Sequence, residues 1–154
     1  MAKPKTPLSQ LSYGLYVVGT KDGDAPHGMT ANWLTQVSFE PELVALAVEK
    51  DAQSRHMIET SRVFSVSILK SGQKEIAGEF AKAHKDRKDK YRFLQKTTGA
   101  PVLADCAAFL DCRVVDSHPA GDHVIFFGEV VDSGILDESS DPLTLKETGW
   151  RYGG

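Results

Sequence analysis

Residues 28–33 read GMTANW, between two stretches, YGLYVVGT (13–20) and WLTQVSFE (33–40), that carry the β-branched and aromatic side chains of strands. Gly, Ala, Thr and Asn make a poor strand interior. The cluster is therefore either a barrel corner, where small residues relieve crowding, or a place where the main chain must lie close to a ligand. Thr30 and Asn32 share one face of an extended backbone and offer a hydroxyl and an amide there. Gly28 and Ala31 leave the main-chain N–H groups approachable.

Outward from this cluster the chain reads as strands and turns. KDGD (21–24) follows the first strand, with Asp22-Gly23 suited to the positive φ of a tight hairpin. WLTQVSFE ends at Pro41, which cannot donate to a ladder. LVALAV (43–48) is apolar without a break and is expected to be buried on both faces. VFSVSIL (63–69) alternates, with Phe64, Val66 and Ile68 on one face. FLDCRVVD (109–116) and HVIFFGEVVDSGIL (123–136) complete six strands, separated by the turn SHPAGD (117–122). Two short helices are expected. SRHMIETS (54–61) has Ser54 as its N-cap, and GQKEIAGEFAKAH (72–84) has Ile76, Ala77, Phe80 and Ala83 as an apolar stripe. The pattern is mainly β with short helices, a compact barrel or sandwich forming one domain over 1–154, with about residues 1–10 as a poorly ordered lead.

Bulk properties narrow the function. A hydrophobic fraction of 41% and a charged fraction of 25% are those of an ordinary globular chain, which excludes disorder. A net charge of −3 argues against nucleic acid as partner, because phosphate neutralisation needs excess cations. The basic run KAHKDRKDKYR (82–92) is diluted by Asp86 and Asp89 and reads as a solvated face. The opening MAKPKTPLSQ has no apolar h-region, and no window reaches the roughly 18–20 apolar residues of a membrane span, so no membrane partner and a cytoplasmic location are expected. If one extended strand joined Cys106 and Cys112, they would lie about 20 Å apart at roughly 3.3 Å per residue, too far for a disulfide. Both are expected as buried, reduced thiols.

Three clusters carry candidate chemistry. The first is MTANW itself. The second, EKDAQSRHMIE (49–59), places Lys50, Ser54, Arg55 and His56 where the apolar strand runs into a helix. Hydroxyl, helix N-terminus and cations together make a phosphate cradle; an ordinary capped helix with solvated basic residues is the structural alternative. A phosphate near 50–56 and a flat group along 29–33 fit one elongated, phosphorylated cofactor. Neither GxxxxGK[ST] nor GxGxxG occurs, so P-loop and Rossmann chemistry are unsupported. The third, HPAGDH (118–123), holds His118, Asp122 and His123. Its spacing matches no zinc pattern, so no metal is expected, and His123 is either a wall beside a cofactor or a loop histidine.

YGLYVVGTKDGDAPHGMTANWLTQVSFEPELVALAVEKDAQSRHMI, followed by VFSVSIL, GDH and the terminal TGWRYGG, resembles the flavin reductase-like, FMN-binding split-barrel proteins, especially the reductase modules at the end of some flavodiiron proteins. The resemblance runs from about Leu11 to Gly154. Many relatives carry Ser after TAN, where this chain has Trp33. It implies a split β-barrel that binds FMN, less often FAD, at a homodimer interface. Met29, Thr30, Ala31, Asn32 and Trp33 would line the isoalloxazine and ribityl chain. Lys50, Ser54, Arg55 and His56 would lie on the phosphate side, and Phe80 and Ala81 beside the cofactor. Trp150, Arg151 and Tyr152 would form a tail closing over the same region. His123 would stand near the nicotinamide and is the candidate catalytic residue. The implied activity is hydride transfer from NADH or NADPH to flavin. Two other readings stay open: a carrier that holds FMN and exchanges electrons with a redox partner protein, and a barrel interaction module without cofactor.

Overall fold

The computed structural model of the chain describes residues 4–88 and 90–154. Asp89 of the basic run and the first three residues of the lead lie outside the described residues. Leu8–Gln10 form a single 3₁₀ turn tied by Thr6 and Ser9.

Seven strands make one antiparallel sheet. In chain order they are β1 (Tyr16–Asp22), β2 (Ala25–Ala31), β3 (Leu34–Ser38), β4 (Leu43–Glu49), β5 (Val63–Ile68), β8 (Ala108–Ala120) and β9 (His123–Ile135). They pair in the order β2-β1-β5-β8-β9-β4-β3, so the two edges are strands that follow each other in the chain. A two-stranded ribbon of β6 (Phe93–Gln95) and β7 (Pro101–Leu103) stands beside the sheet. Three helices complete the fold: α1 (Gln53–Ser61), α2 (Lys74–Ala81) and the single turn α3 (Leu145–Thr148). This is the mainly β, split-barrel architecture that the resemblance implies.

Two apolar clusters account for it. Inside the curl of the sheet lie Val18, Leu46, Ile58, Phe64, Val66, Cys112 and Phe126. Outside it Leu15, Val17, Leu69, Ala77, Phe80, Val102 and Phe109 pack under α2 and the β6–β7 ribbon. Phe64, Phe126, Leu46 and Ile58 are fully buried, each worth roughly 1.5–3 kcal/mol of transfer from water. Successive residues of β1, Val17 and Val18, face the two clusters in turn, as strand pleating requires.

Several expectations need correction. The cluster GMTANW is not excluded from the sheet: Gly28–Ala31 are ladder residues of β2, with Gly28 opposite Gly19 and Ala31 opposite Tyr16. Gly28 lets the Phe80 ring pack against the strand, since a Cβ would sit 3.0 Å from two of its ring atoms. LVALAV is not buried on both faces: Val44, Leu46 and Val48 are buried, whereas Leu43, Ala45 and Ala47 are half-buried. In β5 the reverse holds. Ser65 and Ser67 are as buried as Val66, since Ser65 donates to the Pro101 carbonyl and Ser67 accepts from Leu103 N at 2.9 Å under the ribbon. β8 runs on to Ala120, shrinking the turn after it to Gly121 and Asp122, with φ +60° at Gly121.

Cys106 precedes β8, so no single strand joins the two cysteines. Both are free and buried, and burial pushes their thiols up to about 11 for Cys106 and about 12 for Cys112. No helix among the described residues is long and apolar enough to cross a membrane.

Candidate functional site

The outer edge of β2 has no strand partner, so alternate residues there direct their N–H and C=O groups away from β1. A cleft of about 610 Å³ opens along this edge, within the range of about 300–1,000 Å³ usual for small-ligand sites. Met29, Thr30, Ala31 and Asn32 form its floor, and Ala47–Glu49 of β4 face them. Thr30 is fixed by donating to the Ala77 carbonyl at 2.6 Å, which ties β2 to α2. Asn32 is 5% exposed, and its Nδ2 has no hydrogen-bond partner among the described residues. A buried amide donor left unmatched costs about 1–3 kcal/mol, so a polar ligand group in the cleft would satisfy it.

At one end of the cleft stand Gln53 and Ser54 in the first turn of α1. The N-cap is Ala52, without a side-chain cap, and not Ser54 as the sequence suggests. Ser54 is the second residue of the helix and is buried, its Oγ 3.0 Å from His27 Nε2. Burial, with Arg87 and His84 nearby, lowers the His27 pKa to about 4, so the ring is neutral near pH 7. Lys82, His84 and Arg87 supply cationic and imidazole groups to the same wall. Arg87 lies over Phe80, its Cζ 5.2 Å from the ring centroid, and donates to the carbonyls of Lys82 and Phe80.

The opposite wall is the C-terminal tail. Gly149 (φ +76°) turns the chain out of α3, and Trp150, Arg151 and Tyr152 run along the cleft. Lys74 Nζ stands 5.2 Å from the Trp150 ring centroid. Tyr152 donates to Glu49 Oε1 at 2.5 Å and meets His123 Nε2 at 2.9 Å, while His123 Nδ1 is 2.7 Å from Asp122 Oδ1. Carboxylates only accept, so the Tyr152 hydroxyl supplies the hydrogen of its bond to Glu49. Desolvation, and then Glu49, push the Tyr152 hydroxyl well above its ordinary value.

Comparison with known proteins identifies the surrounding fold. The flavin reductase like domain model matches residues 8–154. The NADH-dependent FAD reductase of Streptomyces globisporus is 39% identical over 123 residues, 77% of this chain and 67% of that protein. The putative diflavin flavoprotein A 2 of a Nostoc species is 30% identical over 132 residues, 83% of this chain but 23% of that protein. The native structure of the flavin reductase PheA2 superposes with a TM-score of 0.82 at 34% identity, covering 95% of this chain and 92% of that one. The chain belongs to the flavin reductase-like family. Flavin reductase activity is the function these comparisons support.

Within this flavin reductase-like chain the sequence candidates fall into two groups. Met29, Thr30, Ala31, Asn32, Ser54, Phe80, Ala81, Trp150, Arg151 and Tyr152 line the cleft together. Trp33, Lys50, Arg55, His56 and His123 do not line it. Trp33 packs behind the tail, 4.5 Å from the His123 ring and 5.0 Å from that of Tyr152. Lys50 is exposed and uses its main-chain N–H to bond Asp122. Arg55 pairs with Glu59 at 2.8 Å along α1, and His56 is exposed on that helix. His123 is buried, with both nitrogens engaged within the chain. Sequence reasoning missed His27, Glu49, His84 and Arg87 as wall residues. His27 directly precedes GMTANW, whereas Arg87 sits in the basic run read as solvated and carries no sequence signal for its half-burial against Phe80.

Proposed function

We propose that the chain is a nicotinamide-dependent flavin reductase whose first cleft holds the flavin mononucleotide portion common to FMN and FAD. The carrying observation is the unmatched, buried Asn32 amide, just after β2, in a cleft that the first turn of α1 also lines. Asn32 donates to a ring carbonyl, and the free main-chain groups of β2 hold the pyrimidine end, where charge accumulates on reduction. Ser54, the Gln53 and Ser54 N–H groups and Arg87 hold the phosphate, with the α1 dipole adding to the attraction. Trp150 and Tyr152 close the cleft against water, and His123 with Asp122 fixes the Tyr152 hydroxyl from behind. His123 is thereby a positioning residue for the tail, next to the face where NADH or NADPH docks. When bound, the flavin supplies the hydride acceptor; the protein supplies orientation and electrostatics.

The assembly we infer is a homodimer, with a second copy of this chain covering the β3–β4 face. Val37 and Phe39 are 47% and 87% exposed there, beside the half-buried Leu43, Ala45 and Ala47. Light scattering should give twice the mass of one chain, and a monomer would remove this part of the reading.

The functional test is direct. Purified protein is titrated with FMN and with FAD, then mixed with NADH or NADPH in a stopped-flow instrument. Bleaching of bound flavin within milliseconds to seconds is expected. Flavin that binds but is reduced by neither nicotinamide would move the assignment to an electron carrier.

A further inference from the structure

His27 stands between two clefts. It lines the first beside Ser54, and it lines a second, adjoining cavity of about 410 Å³ together with Glu79, Phe80, His84 and Arg87. His27 and Ser54 are 8% and 2% exposed. Their contact, Nε2 to Oγ at 3.0 Å, is the only hydrogen bond that either side chain makes among the described residues. Glu79, the buried carboxylate of the adjoining cavity, is engaged elsewhere: it accepts from the Lys88 main-chain N–H and from Lys82 Nζ at 3.3 Å. Burial, and then Arg87 and His84, keep the His27 ring neutral. A neutral imidazole carries one N–H, and its position decides what Ser54 offers to the cleft. With the hydrogen on Nδ1, Nε2 accepts the Ser54 proton, and the Ser54 oxygen shows a ligand only lone pairs. With the hydrogen on Nε2, the ring donates to Ser54 Oγ, and the Ser54 hydroxyl is free to donate onward. A fully ionised phosphate has acceptors alone, so it demands the second arrangement.

We propose that His27 is a positioning residue for the flavin phosphate: by donating from Nε2 to Ser54 Oγ, it turns the Ser54 hydroxyl into the cleft as a donor. The proposal rests on the reading of Ser54 as part of the phosphate seat. The relay ends at the phosphate. It therefore separates FMN from riboflavin, which has the same ring system and ribityl chain and no phosphate.

FMN and riboflavin are titrated by flavin fluorescence into wild-type protein, His27→Leu and His27→Gln. Leucine fills the space without a donor, whereas glutamine carries an amide N–H to about the reach of Nε2. The wild type should bind FMN at least tenfold more tightly than riboflavin. His27→Leu should reduce that preference at least fivefold while leaving riboflavin within twofold, and His27→Gln should restore it to within twofold of the wild type. A preference unchanged in His27→Leu, or FMN and riboflavin weakened equally, overturns the proposal, since a merely structural role affects both flavins alike. The tautomer supplies a measurement that needs no variant to fold: a long-range proton–nitrogen correlation spectrum of the wild type with FMN should show His27 protonated at Nε2. Protonation at Nδ1 overturns the proposal. A wild type without preference for FMN over riboflavin overturns the reading of Ser54 as phosphate seat, and this proposal with it.

Discussion

The two long walls of the cleft are built differently. The β2 wall is held by a seven-residue backbone ladder to β1 and by the Thr30 hydroxyl on α2. The tail wall, Trp150–Tyr152, has no ladder; its contacts include the Lys74 cation–π contact, the Trp33 ring and the Tyr152 bonds to Glu49 and His123. Ladder hydrogen bonds break only with the sheet, whereas a few side-chain contacts open locally. On the proposed function, the first wall would set the position of the flavin and the second would admit and retain it.

This contrast can be broken most severely at Gly28. Gly28→Ala forces a Cβ to 3.0 Å from Phe80 and should cost roughly 1–3 kcal/mol in urea unfolding, together with weaker flavin binding. A neutral result would mean that the β2 wall yields as the tail does.

A second test uses pH. His27 has a folded pKa of about 4 against about 6.5 in the unfolded chain, so between these values only the unfolded chain takes up the proton. Stability present above pH 6.5 is thus lost progressively toward pH 4. The melting temperature should fall more steeply between pH 7 and 5 in the wild type than in His27→Asn; equal slopes would contradict the buried, neutral ring.

Thr30→Val removes the strut between β2 and α2 and should cost about 1 kcal/mol, read by the same denaturation. The smallest stability effect belongs to the tail. Tyr152→Phe should change global stability by less than about 0.5 kcal/mol while raising the flavin dissociation rate several-fold in stopped-flow release. A large loss of stability there would make the tail part of the core.

The fold was legible wherever periodicity carried it. Six of the seven strands of the main sheet could be placed because β-branched runs are separated by polar turns, and α2 because Ala77 and Phe80 recur at helical spacing; β2, which lacks such a run, could not. β6, β7 and α3 escaped because three or four residues cannot display a period, and FLQ or PVL reads the same in a loop. Of the candidate site, the cleft-lining Met29–Asn32 were readable from the run of small residues. The phosphate side was only half readable. A helix start can be guessed from Ser54, but which of its neighbours face inward depends on helix rotation, which put Arg55 and His56 outside and Ser54 within. Arg87 was hidden because it is half-buried against Phe80, a contact between residues seven apart that no single helix or strand spans.

The sheet ends on two strands that are neighbours in the chain, separated only by Asn32 and Trp33. Its slit is therefore also its seam, the line along which amide hydrogen exchange would begin and from which melting would spread. A nucleotide in the proposed site would instead link the β2 edge to the end of β4 and to the tail. Its affinity and the heat resistance of the whole molecule are then coupled by mass action, so saturation at 100 times the dissociation constant should add about 2.7 kcal/mol to stability.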